Sequence, residues 1–278
     1  MKNPLVQPLL KWVGGKRQLL NEIVPMIPEH ITTYVEPFIG GGAVLFDIQP
    51  KKAIINDKNS ELINVYKTIK DNPELLIEEL KIHSENNDSE YFYNLRAIDR
   101  EENYDEYDDI KKASRIIYLN KTCYNGLYRV NSSGFFNTPY GKYKSPNIVN
   151  EVTIRALSNY FNSANIKILN DDYKVALKGL RKGAFVYFDP PYVPISTSSS
   201  FTGYTEGGFT LKHQEELKLE CDKLNKRGIK FLLSNSDCDF IRELYKDYNI
   251  KTVRAKRAIN SNSLKRGEIN EVLVYNYD

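Results

Sequence analysis

The apolar run Ala184-Phe185-Val186-Tyr187-Phe188, followed at once by Asp189-Pro190-Pro191-Tyr192, constrains this chain more than any other stretch. The run is short, aromatic and β-branched in character, which reads as a buried strand. Two prolines stop it, because neither donates to a sheet ladder and each biases the residue before it away from helix. A stiff tetrapeptide therefore stands at the carboxyl end of a strand, the edge at which open α/β sheets bind ligands. The chemistry it suits is narrow. An exocyclic amine on a nucleobase is a poor nucleophile, since its lone pair is delocalised into the ring. The Asp189 carboxylate can accept one N–H and the Pro190 carbonyl the other, drawing the amine toward a localised lone pair. Tyr192 offers a face on which a base can stack. For a bare Pro-Pro, a capped loop turn is the plainer reading; the whole Asp-Pro-Pro-Tyr after a strand favours the site.

The chain has 278 residues, room for one large domain or one domain with an insertion. A formal charge of +3 does not by itself identify a nucleic-acid binder, but its distribution is uneven. Asp71 to Ile110 holds fourteen acids and only Lys81, Arg96 and Arg100 as bases, whereas Lys111 to Pro146 holds seven bases and no acid. One face is expected to meet a polyanion. The cysteines, Cys123, Cys221 and Cys238, are widely spaced and form no Cys/His cluster, so no zinc site is expected, and reduced thiols in a cytoplasmic protein are. No signal peptide or membrane-spanning apolar stretch is read.

Two further motifs precede the Asp-Pro-Pro-Tyr. Lys11-Trp12-Val13-Gly14-Gly15-Lys16-Arg17 reads as a turn into a helix, roughly Lys16 to Met26, whose basic start is an anion site or a plain N-terminal arm. Thr33 to Phe46 reads as a strand, the turn Gly40-Gly41-Gly42 and a helix; it is neither the dinucleotide fingerprint nor a phosphate loop. The next strand, Ala53 to Asp57, ends in an acid that can accept both hydroxyls of a ribose, or cap the following helix. Asn72 to about Asn165 interrupts the α/β alternation with a mostly helical, charged insertion, including a basic amphipathic helix over Lys111 to Leu119. Tyr124 to Lys144 then reads as a polar hairpin turning at Ser132-Ser133-Gly134; with Arg129, Lys142 and Lys144 it suits a major groove, or is a structural hairpin with solvated bases.

Together these motifs resemble the DNA adenine-N6 methyltransferases of the Dam type, an alpha-group amino-methyltransferase order of cofactor motif, recognition region and catalytic motif, over nearly the whole chain. The resemblance implies S-adenosylmethionine as cofactor, S-adenosylhomocysteine as product, no metal, and double-stranded DNA as partner. It makes Asp189, Pro190, Pro191 and Tyr192 catalytic. It places Trp12, Lys16, Glu36, Pro37, Phe38, Gly40, Gly42, Asp57, Asp172, Tyr173 and Asp189 around the cofactor, with Phe38 to Gly42 along its methionine part, Asp57 on its ribose and Asp172 and Tyr173 against its adenine. Lys11 reaches DNA. Arg129 pairs with a guanine edge, Leu127 and Pro139 make apolar contacts, Tyr124 and Asn125 fill the gap left by a flipped base, and Lys142 and Tyr143 hold phosphates, with Asn131 in the same DNA-contacting segment. The site read by the Dam type is GATC. Position 142 is often Arg in the family; Lys142 keeps the charge without the planar fork, which favours a phosphate role over base reading.

The remainder returns to α/β alternation. A strand pattern over Ile166 to Tyr173 is followed by a helix over Lys174 to Leu180. After Tyr192, Ile195 to Gly208 reads as a mobile lid or a linker. Phe209 to Arg227 and Asp239 to Tyr248 read as helices, Phe231 to Asn235 as a buried strand, and Val272 to Asn276 as a closing edge strand. The tail from Lys251 to Arg266, with Arg257 and Asn260, suits phosphate contacts or is a solvated basic loop. The expected fold is α/β: a doubly wound, Rossmann-like sheet formed by residues 1–70 and 166–278, with a target-recognition insertion over 71–165. The expected activity is site-specific methylation of adenine N6 in duplex DNA with base flipping. Action on single strands or RNA, a catalytically silent DNA-binding relative, a cognate restriction endonuclease as partner, and a monomer or weak dimer stay open.

Overall fold

A computed structural model describes residues 2–194, 208–256 and 268–278. In chain order, α1 (Leu20–Ile23), set between 3-10 turns Lys16–Leu19 and Val24–Met26, precedes β1 (Thr33–Glu36), α2 (Ala43–Ile48), β2 (Lys52–Asn56) and α3 (Ser60–Asp71). The helices α4 (Pro73–Glu85), α5 (Ser89–Ala97), α6 (Asp109–Thr122) and α7 (Glu151–Ser163) come next. Then β3 (Asn165–Leu169), α8 (Tyr173–Ala176), β4 (Ala184–Phe188), α9 (Leu211–Lys226), β5 (Lys230–Ser236), α10 (Asp239–Leu244), β6 (Asn249–Lys256) and β7 (Glu268–Tyr275) complete the fold.

The strands form one seven-stranded sheet in the order β3-β2-β1-β4-β5-β7-β6. The first five are parallel, and β7 runs antiparallel to both β5 and β6. Side chains alternate through the central strand as a pleat requires: Phe185 and Tyr187 enter the core on one face, Val186 and Phe188 the core on the other. All four are 0% exposed, and burying each large apolar side chain contributes about 1.5–3 kcal/mol. The chain runs outward from β1 through β2 to β3, then returns to place β4 on the other side of β1. The order reverses between β1 and β4, and at such a switch point the loops diverge and leave a crevice. The glycine turn follows β1 and Asp-Pro-Pro-Tyr follows β4, so both motifs open into it.

Leu76, Phe92, Ile117 and Phe161, from α4 to α7, pack into the same core as Tyr34 and Phe185 of the sheet and Phe46 of α2. Side-chain caps start several of these helices, with Asn59, Asp88 and Asp108 accepting the N–H of Leu62, Tyr91 and Lys111.

Four expectations need correction. The strand over Val272 to Asn276 is not an edge: β7 lies between β5 and β6, and Val272, Leu273 and Val274 are buried on both faces. The stretch Lys251 to Lys256 is no loop but part of β6, the true edge, where Val253 and Ala255 are buried and Lys251 and Arg254 exposed. Charges on an outer strand deter pairing with other chains. The helix from Asp109 is not simply a basic face, because Arg115 is 3% exposed and its Nη2 pairs with Asp99 at 2.9 Å. Finally, residues 124–144 contain no regular strand pair, only the bridges Cys123 to Tyr140 and Val130 to Phe136. Arg257, Asn260 and nearly all of the expected lid lie outside the described residues.

Candidate active site

Asp189 follows β4 directly. Its Oδ1 lies 2.8 Å from Lys16 Nζ, and Lys16 is buried. The same ammonium donates to the Gly14 carbonyl at 2.7 Å and stands 4.6 Å from the centre of the Tyr192 ring. The Tyr192 hydroxyl donates to Glu271 Oε2 at 2.7 Å. Burial pushes the Asp189 carboxyl up to about 6 against the pull of Lys16, and the Glu271 charge adds to the rise. Glu36, at the end of β1, is also buried and accepts a 2.8 Å hydrogen bond from Tyr34. Burial drives its pKa well above the ordinary carboxylate range, and the Asp189 charge acts in the same direction. At Asp189 the Lys16 charge is the largest influence opposing burial and favours the carboxylate.

The glycine turn stands beside this group. Gly40 and Gly42 have φ of 48° and 70°, values that side chains rarely adopt. A Cβ on Gly42 would come within 2.6 Å of the Phe46 ring, and one on Gly40 within 3.0 Å of Trp12. Trp12 therefore abuts the turn, and its ring stacks on Tyr128 at 4.7 Å. Asp57 Oδ2 accepts from the Gly40 N–H and Oδ1 from the Asn59 N–H, both at 3.0 Å. A carboxylate has about four lone-pair sites, so Asp57 retains capacity for an outside donor beside its backbone partners. Phe38 stacks on Tyr173 at 5.1 Å, giving an aromatic wall, while Asp172 caps α8 through the Lys174 N–H. Pro37 offers its carbonyl to Asn56 Nδ2 at 3.0 Å.

The segment after α6 carries the expected DNA-contacting residues on its outside. Tyr124 is 57% exposed, and Asn125, Asn131, Pro139, Lys142 and Tyr143 are exposed too, with Lys11 exposed nearby. Leu127 and Arg129 are half-buried. Arg129 is braced by Asn137, whose Oδ1 accepts from Nε at 2.6 Å and whose carbonyl accepts from Nη2 at 3.3 Å. Asn131 Oδ1 closes the turn by accepting from the Ser133 and Phe135 N–H groups, both at 3.0 Å. Lacking a ladder, the segment is held by side chains: Asp99 accepts from the Phe136 N–H, Arg100 donates to the Phe136 carbonyl and Arg96 to the Thr138 carbonyl. Asn120 joins it to the N-terminal motif, accepting from the Lys11 N–H while donating to the carbonyls of Lys11 and Gly126. A cavity of about 360 Å³ behind the segment is lined by Glu61, Asp99, Glu101, Glu102 and Asp105, and so is unsuited to phosphate.

The family described as D12 class N6 adenine-specific DNA methyltransferase matches residues 12–259. The chain belongs to this family. It is an adenine-specific DNA methyltransferase, and membership implies S-adenosylmethionine as methyl donor. It is 47% identical over 272 residues to a type II methyltransferase of Lactococcus lactis subsp. cremoris, covering 98% of this chain and 96% of that protein. It is 43% identical over 290 residues to a type II methyltransferase of Methanocaldococcus jannaschii, covering 98% and 99%. The DNA adenine methylase of Escherichia coli (strain K12) is 33% identical over 267 residues, covering 95% and 93%.

In this methyltransferase the structure brings Lys16, Glu36, Gly40, Trp12, Asp189 and Tyr192 into one neighbourhood, with Lys16 on Asp189. Sequence reasoning missed Glu271, Asn137 and Lys121. Lys121 donates to the Leu9 carbonyl, and burial, then the charges of Arg17 and Lys11, lower its pKa to about 8. Its only sequence signal was the acid-free basic run. Among the described residues no helix is long and apolar enough to cross a membrane.

The Lys16–Asp189 pair gives a pH prediction. A carboxylate accepts more strongly than a carboxylic acid, whose proton would also face the amine, so the rate is expected to fall as pH drops through about 6. Lys16→Met removes the interaction opposing burial. The acid limb of kcat/KM is then expected to move to higher pH, by roughly one unit or more. A limb that stays in place in that variant would mean that Asp189 does not set it.

Proposed function

We propose that this methyltransferase transfers the methyl group of S-adenosylmethionine to N6 of an adenine flipped out of duplex DNA, within GATC. Residues 1–70 and 166–278 carry binding of the cofactor and catalysis; residues 71–165 carry target recognition. The observation that carries the reading is the position of Asp189 and Tyr192 at the carboxyl end of β4, one strand from the glycine turn after β1.

The residues present fit the cofactor. Asp57 keeps free lone pairs for ribose hydroxyls, Phe38 and Tyr173 offer an aromatic wall, and the glycine turn lets backbone approach closely. When bound, S-adenosylmethionine supplies an electrophilic methyl carbon on a sulfonium. Asp189 accepts one hydrogen of the adenine amine, and the Pro190 carbonyl accepts the other. Both acceptors aim the amine and localise its lone pair, so the protein acts chiefly by orientation. Lys16 keeps Asp189 ionised for this task, and must yield or share Oδ1 when the amine arrives. Tyr192, anchored through Glu271, provides the stacking face. Eversion costs a few kcal/mol, which these contacts offset. The exposed Tyr124 ring fills the vacated stack, Arg129 reads a guanine edge, and Lys11, Lys142 and Tyr143 meet the flanking DNA.

The assignment of GATC rests on the likeness of residues 124–144 to the Dam-type recognition segment. The names of the Lactococcus and Methanocaldococcus relatives favour a role beside a restriction endonuclease. The test is nucleoside mass spectrometry after incubation with S-adenosylmethionine and matched substrates. N6-methyladenine is expected in a GATC duplex, with little in a scrambled duplex, the single strand or the same sequence as RNA. Preference for the single strand or RNA would replace the duplex reading.

A further inference from the structure

The backbone that follows Pro190 is held by a buried polar lattice. Gln214 on α9 donates from Nε2 to the Pro191 carbonyl at 2.8 Å, and its Oε1 accepts from Asn235 Nδ2 at 3.0 Å. Asn235 Oδ1 accepts from the Val193 N–H at 3.2 Å and the Ser236 N–H at 2.8 Å. Ser236 Oγ donates to the Val193 carbonyl at 2.7 Å. Gln214 and Asn235 are each 0% exposed. Two facing amides are a costly way to fill a core, because apolar groups of the same shape serve stability as well. What amides add is direction. The lattice ties the peptide groups on both sides of Tyr192, while among the described residues no donor reaches the Pro190 carbonyl.

We propose that Gln214 and Asn235 are positioning residues for methyl transfer, fixing the Pro191-Tyr192-Val193 backbone so that the Pro190 carbonyl and the Tyr192 ring face the incoming base. This rests on the roles given to Pro190 and Tyr192 above. The lattice joins α9, β5 and the loop after β4 directly beside the site. A loop held by apolar packing alone would rotate by a fraction of an ångström at little cost. A loop tied at Pro191 and at both polar groups of Val193 has no such freedom.

The test uses Gln214→Glu and Asn235→Asp, which keep shape but remove a donor, and Ser236→Ala, which deletes a single bond. Single-turnover methylation, cofactor and duplex dissociation constants and thermal melting are measured on the full chain. The two amide variants are expected to lose about 100-fold in the methylation rate, the scale of an ångström misplacement. Ser236→Ala is expected to lose about 10-fold, the equivalent of one hydrogen bond. Cofactor affinity is expected to stay within about twofold, since only the loop after β4 is loosened. Rates equal to wild type, or rates that fall only in step with affinity or folded fraction in all three variants, overturn the proposal. The wild-type protein in the same assay must form N6-methyladenine; if it does not, the functional reading fails, and the positioning role falls with it.

Discussion

Asp189→Ala is expected to abolish methyl transfer. Removing one preorganised group that bonds the reacting centre lowers kcat by about 10²–10³, and loss of the amine's alignment adds to that. The variant also leaves Lys16, only 6% exposed, without its carboxylate partner. Stripping one partner from a buried pair costs about 3–5 kcal/mol, and the 20% exposure of Asp189 argues for the lower end. A fall in melting temperature is therefore expected along with the lost activity. Asp189→Asn separates the two effects, since it keeps an oxygen for Lys16 but offers a donor where the amine needs an acceptor. Single-turnover rates normalised to folded protein check the expectation. Normal turnover in Asp189→Ala would exclude the two-acceptor mechanism.

Arg129→Ala is expected to relax sequence preference and leave cofactor affinity unchanged. A bidentate contact between Arg and guanine contributes about 1–3 kcal/mol of discrimination, or roughly 5–150-fold between the right and wrong base. Asn137 holds the guanidinium by Nε and Nη2, so its direction is set before DNA arrives. Asn137→Ala should therefore weaken the same discrimination by less. Methylation rates on duplexes bearing each single base change in the site are the measurement. An unchanged order of preference in Arg129→Ala would assign base reading to another side chain.

How far the sequence went depends on the range of the forces involved. β4 and its stop were legible because the apolar run and the prolines act locally. The glycine turn after β1 and the acid ending at Asp57 were legible for the same reason. β6 was not, because Lys251, Arg254 and Lys256 drew attention from the alternation of Val253 and Ala255, which marks a strand with one buried side. β7 was found and misplaced; a run buried on both faces belongs inside a sheet, and Val272 to Val274 is such a run. Residues 124–144 carry the turn residues of a hairpin, but their hold comes from Arg96, Asp99 and Arg100, some forty residues earlier. Lys16 was placed near the cofactor, and no local rule could have put its ammonium on Asp189, 173 residues away, which the chain brings together only at the switch point.

The most direct test is a crystal structure of the protein with a non-reactive cofactor analogue and a GATC duplex. The expected result is an adenine turned out of the helix, its N6 bonded to an Asp189 oxygen and to the Pro190 carbonyl, its ring on Tyr192, and the analogue against Gly40 to Gly42. An adenine that stays stacked in the duplex, or an N6 bonded elsewhere with the analogue in that place, would contradict the account.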